Sequence, residues 1–493
     1  MQSPDQADSV RSPTPAQLVL LVILLLLLAV QSYLIGSNKH HRSGDASVED
    51  QLSALFAAKA AYFQQTEYPI AGVAADTKGK KLTDKTIHYL QNAVHITHAV
   101  PVYRRLIIIS YALREPEWRA AIQQIPHAIR IGQKLPLPRE MYFWQTVYNQ
   151  PHIKPSQVPE LKQLLGEMRL GWYSHLALQT IYRKSGNKRQ AAKEQEAAVT
   201  DGGIIVGISL IGLFGIISGS AVGVGLLIWF LIEIKRPPEA RSGFWRWVVQ
   251  QRSPIVSPPA VSRLLYHTFI LYLCVFALLR ALLPFLISRS FKMDLQTSVR
   301  ANVLLSVSLE ILVLAVAGAY FIIKGRAMGL RFADLGWASR HPFGDIFCAG
   351  ALYWGLIPFI ILAQVIARYA LRGVPTPLHP LVGQLMANRS TWIALTLLLE
   401  ASVLAPFVEE LMFRGCLFGS LRQRMGVYWA IFISSAIFAG LHPQLPLGFI
   451  PIFIIGCALA ALYHVRGSLL ASMSFHAINN AVITLYLLAV IRP

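Results

Sequence analysis

Residues 391–420 read TWIALTLLLEASVLAPFVEELMFRGCLFGS: an apolar run, a lone Glu400, a second apolar run broken by Pro406, the adjacent acids Glu409 and Glu410, and Arg414 one helical turn later. A stretch of this length and composition crosses a hydrocarbon core of roughly 30 Å as a helix. Ionisable groups are costly there, so acids placed in such a run mark a functional site by default. Proline frees backbone carbonyls and permits a kink, which is one way membrane helices open a buried polar site.

Two further polar pieces lie in apolar sequence downstream, Phe438-Ala-Gly-Leu-His442 and His476-Ala-Ile-Asn-Asn480. Glu410 and Arg414, Phe438 and His442, and His476 and Asn480 are each spaced i, i+4, which puts each pair on one helix face. A turn signal at Arg422–Gly426 separates the first two pieces, with Glu409 and His442 nearly equidistant from it. An antiparallel hairpin with a rise of about 1.5 Å per residue then brings both to one depth.

The rest of the chain fits this frame. Of 493 residues, 54% are hydrophobic and 14% charged, well below the roughly 25% charged residues of soluble domains. The expected fold class is therefore all-α, a polytopic membrane bundle of about eight helices plus an N-terminal anchor, with an all-helical soluble domain inserted after the first span. The spans expected are 17–36, 203–234, 263–288, 303–324, 345–370, 391–420, 426–442, 447–463 and 468–491. Domain boundaries follow: 1–36, an anchor or uncleaved signal; 37–202, the soluble helical domain; 203–390, the first part of the bundle; 391–493, the helices carrying the motifs. The leader has Asp5 and Asp8 against Arg11, unlike the basic leader of a cleaved signal.

In the hydrophilic region, Tyr111 with Ala120-Ala121 is echoed by Tyr182 with Ala191-Ala192. The offset is about two 34-residue periods, so a tetratricopeptide-like solenoid and an unrelated helical bundle are both open. Either serves as a binding module for a protein partner.

The net charge of +20 is spread through loops and no nucleic-acid motif accompanies it, so no nucleic-acid partner is expected. Lys235, Arg236, Arg241, Arg246, Arg252, Lys324, Arg326, Arg331, Arg340, Arg422, Arg424 and Arg466 share one side of the expected topology. The positive-inside rule makes that side cytoplasmic and places 37–202 outside the cytoplasm. Cys274, Cys348, Cys416 and Cys457 all fall in spans, so no disulfide framework is implied.

Pairing with Arg414 accounts for Glu410 and leaves Glu409 as the chemically free acid, since two adjacent buried carboxylates do not both ionise cheaply. His442, before Pro443, ends a helix where its ring can face a cavity. Glu409, His442, His476 and Asn480 together provide a carboxylate, two imidazoles and a carboxamide. Amide hydrolysis needs such a set: a base for water and donors for an oxyanion. Glu310, Glu400 and His267 lack spaced companions and read as packing or inter-span hydrogen bonding; His464 and Arg466 read as loop.

At these motifs the chain resembles the CPBP family, the CAAX-prenyl-protease, bacteriocin-processing and Abi-like membrane proteins, whose pattern is EExxxR, FxxxH and HxxxN or HxxxD on successive helices. The resemblance covers about the last hundred residues. It implies an intramembrane endopeptidase of the glutamic type, with an eight-helix-like bundle and a conical polar cavity. Glu409 and His442 would activate water, His476 and Asn480 would stabilise the oxyanion, and Glu410 and Arg414 would hold the helix geometry, with Phe438 in support. It implies a membrane-associated or lipidated, CAAX-like substrate, no cofactor, and an integral membrane location such as a bacterial plasma membrane.

Two other readings start from the same residues. Glu409, His442 and His476 have the donor types of an open zinc site, although the chain lacks HExxH. A non-catalytic immunity or scaffold protein could hold a peptide and recruit partners through residues 37–202. A transporter would require inverted repeats, and the Glu409 motif is not repeated.

Overall fold

A computed structural model of the chain describes residues 39–67, 74–97, 99–128, 135–249, 259–291, 299–337, 339, 341–371, 380–387 and 390–491. Among these residues the protein is all helix, with no strand. The anchor expected at 17–36 lies outside them. The chain divides into two compact units, one built on Asn38–Leu213 with Tyr486–Pro493, the other on Phe214–Leu485.

The first unit comprises α1 (Lys39–Glu67), α2 (Ala74–Thr97), α3 (Val100–Ala112), α4 (Glu117–Ala128), α5 (Leu137–Trp144), α6 (Val158–Met168), α7 (Trp172–Lys184) and the first part of α8 (Lys188–Lys235). Ala54, Ala58 and Ala61 line one face of α1 at helical spacing and are fully buried against Leu90, Ile107 and Ala177. An ion pair lies inside this core: Arg104 Nε donates to Glu140 Oε1 at 2.7 Å, and the Trp144 indole N–H donates to the same oxygen at 3.2 Å. The two segments that echo each other in sequence both fall at helix–turn–helix corners, between α3 and α4 and between α7 and α8.

The second unit contains the rest of α8, α9 (Gly243–Val248), α10 (Pro259–Phe291), α11 (Val299–Arg326), α12 (Pro342–Ala370), α13 (Pro380–Ala387), α14 (Thr391–Met425), α15 (Val427–Gly440), α16 (Phe449–Arg466) and α17 (Leu469–Ile491). Seven of the helices, α8, α10, α11, α12, α14, α16 and α17, are long and apolar enough to cross a membrane. Together with the shorter apolar α15 they match the expected bundle, and the protein is an integral membrane protein. α8 begins 15 residues before the expected 203, because its polar start Lys188–Asp201 continues the same helix. α15, expected as a span over 426–442, is a helix of only 14 residues, which at about 1.5 Å per residue reaches roughly 21 Å.

Close packing carries positional information toward α17. A Cβ added to Gly219 would lie 2.4 Å from the Trp354 carbonyl oxygen, and one on Gly223 2.4 Å from that of Gly355. These glycines, spaced i, i+4 on α8, therefore let its backbone seat directly on α12. On α12, Tyr353 meets Phe475 edge-on at 5.6 Å between centroids, next to the expected site residue His476.

The end of α16 is pinned as well. Arg466, expected in a loop, is instead the last residue of the helix and is buried; its Nε donates to Asp345 Oδ1 at 2.7 Å and its Nη1 to the Trp247 carbonyl at 2.6 Å. The Ser339 hydroxyl donates to Asp345 Oδ2 at 2.6 Å, and the Leu469 N–H reaches the Gly336 carbonyl at 2.9 Å. These bonds tie α9, the start of α12 and the α16–α17 turn at one end of the unit.

Candidate active site

α14 carries the paired acids and is irregular on both sides of them. It runs in i−5 register over Glu400–Leu404, returns to α over Ala405–Glu410, and goes back to i−5 register over Leu411–Phe418. Such π segments cluster at functional sites. The first of them lies against Pro406, which the sequence marks as a breaker. The second carries no such signal, so the sequence reading treats 411–418 as ordinary helix.

Gly426, at φ +80°, ends α14 and opens α15. Phe413 and Phe438, 13 and 12 residues from it, meet edge-on at 5.0 Å between ring centroids. The segments thus fold back on each other at the depth anticipated for a hairpin.

Phe438 is the hub of the cluster. The Arg414 guanidinium sits 4.4 Å over its ring. The imidazoles of His442 and His476 approach the same ring at 4.6 and 5.9 Å between centroids. Cation–π contact and edge-on packing hold three helices around one buried phenyl group.

Each imidazole has one nitrogen fixed. His442 Nδ1 lies 2.7 Å from the Phe438 carbonyl oxygen. A carbonyl only accepts, so Nδ1 carries the proton and Nε2 keeps its lone pair in the neutral ring. His476 Nδ1 lies 2.9 Å from Glu410 Oε1, and its Nε2 then faces Glu409 Oε2 at 3.8 Å.

Glu410 Oε1 is shared. It takes the His476 N–H and forms an ion pair with Arg414 Nη1 at 3.1 Å, a contact outside hydrogen-bond geometry. Arg414 Nη2 reaches the Gly456 carbonyl at 3.4 Å. Both side chains are almost fully buried, at 0% exposed for Glu410 and 2% for Arg414. Glu409 differs in exposure, its side chain being 27% exposed; its Oε2, like Glu410 Oε2, is enclosed and has no hydrogen-bond partner. The acid singled out from sequence as chemically free thus stands beside an imidazole whose other end is anchored on its neighbour Glu410.

Asn480 stands differently. Its Nδ2 donates to the Ala401 carbonyl at 2.8 Å, and its Oδ1 accepts from Asn479 Nδ2 at 3.0 Å. Its carboxamide therefore ties α17 to the first π segment of α14. Sequence reasoning missed Asn479, whose only signal is the doubled asparagine. It also missed the Glu410–His476 bond, which joins residues 66 positions apart.

The other intramembrane acids divide. Glu400 accepts from the Ser306 hydroxyl at 2.5 Å, the inter-span bond expected of it, while Glu310 Oε2 is enclosed without a partner. Among the described residues, no group of three or more histidine, cysteine, aspartate or glutamate side chains is placed to hold a metal ion.

Residues 390–482 match the family model described as type II CAAX prenyl endopeptidase, Rce1-like. No curated protein and no solved structure matches the chain. The matched segment is less than a fifth of the chain, yet it holds Glu409, Glu410, Arg414, Phe438, His442, His476 and Asn480. Over residues 390–482, on its last membrane helices, the chain is thus similar to the Rce1-like family of type II CAAX prenyl endopeptidases.

Proposed function

We propose that the pocket around Phe438 hydrolyses a peptide bond by activating water with Glu409 and His442, in a glutamic mechanism without a cofactor. One observation carries this reading: a carboxylate with an enclosed, partner-free oxygen faces His476 Nε2 at 3.8 Å, while His476 Nδ1 is anchored on Glu410. Glu409 accepts a proton from water, and the His442 Nε2 lone pair orients the same water. The oxygen of that water bonds to the scissile carbonyl carbon, and the carbonyl oxygen becomes an oxyanion. His476 with a proton on Nε2, and the second Nδ2 hydrogen of Asn480, donate to it. Collapse of the tetrahedral species breaks the C–N bond, and the proton held by Glu409 passes to the leaving amine.

Glu410, Arg414 and Phe438 hold the reacting groups in place. The anchored imidazoles cost no reorganisation when charge develops, which is where such sites gain most of their rate. The family match supports a substrate that is membrane-associated and lipidated near its C-terminus, of the CAAX type. Residues 37–202 serve as a binding module outside the cytoplasm, on the charge distribution of the loops.

The test is cleavage of a farnesylated C-terminal peptide by the purified full chain in detergent, read by mass spectrometry. Release of the terminal tripeptide, undiminished by a chelator, is the expected result. Activity that a chelator removes and zinc restores would overturn the mechanism in favour of a metalloprotease. Full biological activity of a Glu409→Ala variant would instead mark a scaffold or immunity protein.

A further inference from the structure

Pro406 lies two residues after the last residue of the first π segment of α14, Leu404. The segment's last bond runs from the Ala405 N–H to the Glu400 carbonyl, in i−5 register. The next bond of that register would run from residue 406 to the Ala401 carbonyl, and proline has no N–H to give. An unsatisfied carbonyl in a membrane helix is costly and needs a donor from elsewhere. Asn480, from α17, supplies one: its Nδ2 lies 2.8 Å from the Ala401 oxygen.

That contact also decides which way round the carboxamide lies. A carbonyl only accepts, so the Asn480 nitrogen faces Ala401 and its oxygen is turned away. The oxygen accepts from Asn479 Nδ2 at 3.0 Å. Asn479 is 7% exposed, so water competes weakly for this bond. One hydrogen on Asn480 Nδ2 is left over, and it is the hydrogen the oxyanion role requires.

We propose that Asn479 and Pro406 are positioning residues for the site, a role that rests on the reading of that site as a peptidase. Pro406 leaves the Ala401 carbonyl open for Asn480, and Asn479 holds the Asn480 carboxamide in the orientation that both caps this carbonyl and keeps an N–H free. The relay locks α14 to α17 at Ala401, eight residues before Glu409, in the register at which Glu409 meets His476. It reassigns part of Asn480's work: the residue is a clasp between helices as well as a donor.

Two measurements on the full chain in detergent test the relay separately from the reaction. The first is a thermal-unfolding cycle of Asn480→Ala, Pro406→Ala and the double variant. Pro406→Ala gives residue 406 an N–H for Ala401, so the Tm loss caused by Asn480→Ala should fall by at least about half in the Pro406→Ala background, as coupled neighbours require. If Asn480→Ala alone does not fold, recovery of a folded double variant is the same result. Strictly additive losses, or a double variant that also fails to fold, would overturn the clasp.

The second measurement compares Asn479→Asp with Asn479→Ala on the farnesylated peptide. Aspartate matches asparagine in shape, but its carboxylate cannot donate to Asn480 Oδ1; it draws Asn480 Nδ2 toward itself and turns the carboxamide round. Asn479→Asp should therefore lower kcat by about tenfold or more at unchanged KM, and by more than Asn479→Ala does, the scale expected when a buried polar group loses its partner. Equal kcat for Asn479→Asp and the parent, or a change confined to KM, would overturn the positioning role. A parent protein that cleaves nothing would sink the peptidase reading, and the unfolding cycle would still decide the relay.

Discussion

Glu409→Gln should lower cleavage of the farnesylated peptide by about 10²–10⁴-fold, the usual contribution of a positioned general base, while leaving the fold intact. The two effects separate because of how Glu409 is held. Its Oε2 has no hydrogen-bond partner, and its nearest ionic neighbour, His476 Nε2, is 3.8 Å away. Replacing one carboxylate oxygen by an amide removes the base and breaks no structural bond. The Tm of Glu409→Gln in detergent should then match that of the parent to within the few tenths of a kcal/mol typical of neutral substitutions. Parent-like turnover would show that another group takes the proton.

Glu410 should behave in the opposite way, with stability falling first. Arg414 is 2% exposed and has Glu410 as its only carboxylate partner among the described residues, so Glu410→Ala leaves a buried guanidinium unpaired. Breaking a buried pair from one side costs about 3–5 kcal/mol. Arg414→Ala leaves the carboxylate in the same position and should cost a similar amount. The double variant should be destabilised by much less than the sum, because no buried charge is left without its counterpart. Thermal unfolding of the three variants in detergent measures this directly. Simple additivity would mean that the two side chains are not coupled. Arg414→Lys should not restore the parent stability, since a lysine does not reproduce the planar guanidinium lying over Phe438.

Both predictions act on residues that the chain advertises. Acids inside an apolar run, i, i+4 spacing and a turn placed midway between Glu409 and His442 were enough to read the all-helical membrane bundle and to pick out Glu409, Glu410, Arg414, Phe438, His442 and His476, which the structure brings together, whereas Asn480 bonds Ala401 and Asn479. These signals are local: hydrocarbon content over some twenty residues and the period of a helix determine them. Contacts between segments distant along the chain were not legible. Nothing near Glu410 announces His476, and nothing near Arg466 announces Asp345, 121 residues away. Arg466 therefore read as a loop cation, although it ends α16 and is buried. Backbone register was legible only where a residue enforces it. Pro406 signals the irregularity near Ala401, whereas the π segment over Leu411–Phe418 contains no proline; it carries Arg414, which lies over Phe438. Helix ends were legible only where polarity changes with the fold, so the polar start of α8 hid its continuity with the apolar part.

The central claim is that Glu409, on α14, and His442, in the turn just after α15, act on one water molecule. A double-mutant cycle in kcat for peptide cleavage tests it most directly, with Glu409→Gln, His442→Ala and the combination measured on the purified full chain. Groups that serve a single step are strongly non-additive, so the double variant should be no more than a few-fold slower than the slower single variant. A double variant slowed by the full product of the two single effects would mean that the carboxylate and the imidazole work independently, and would contradict the shared pocket.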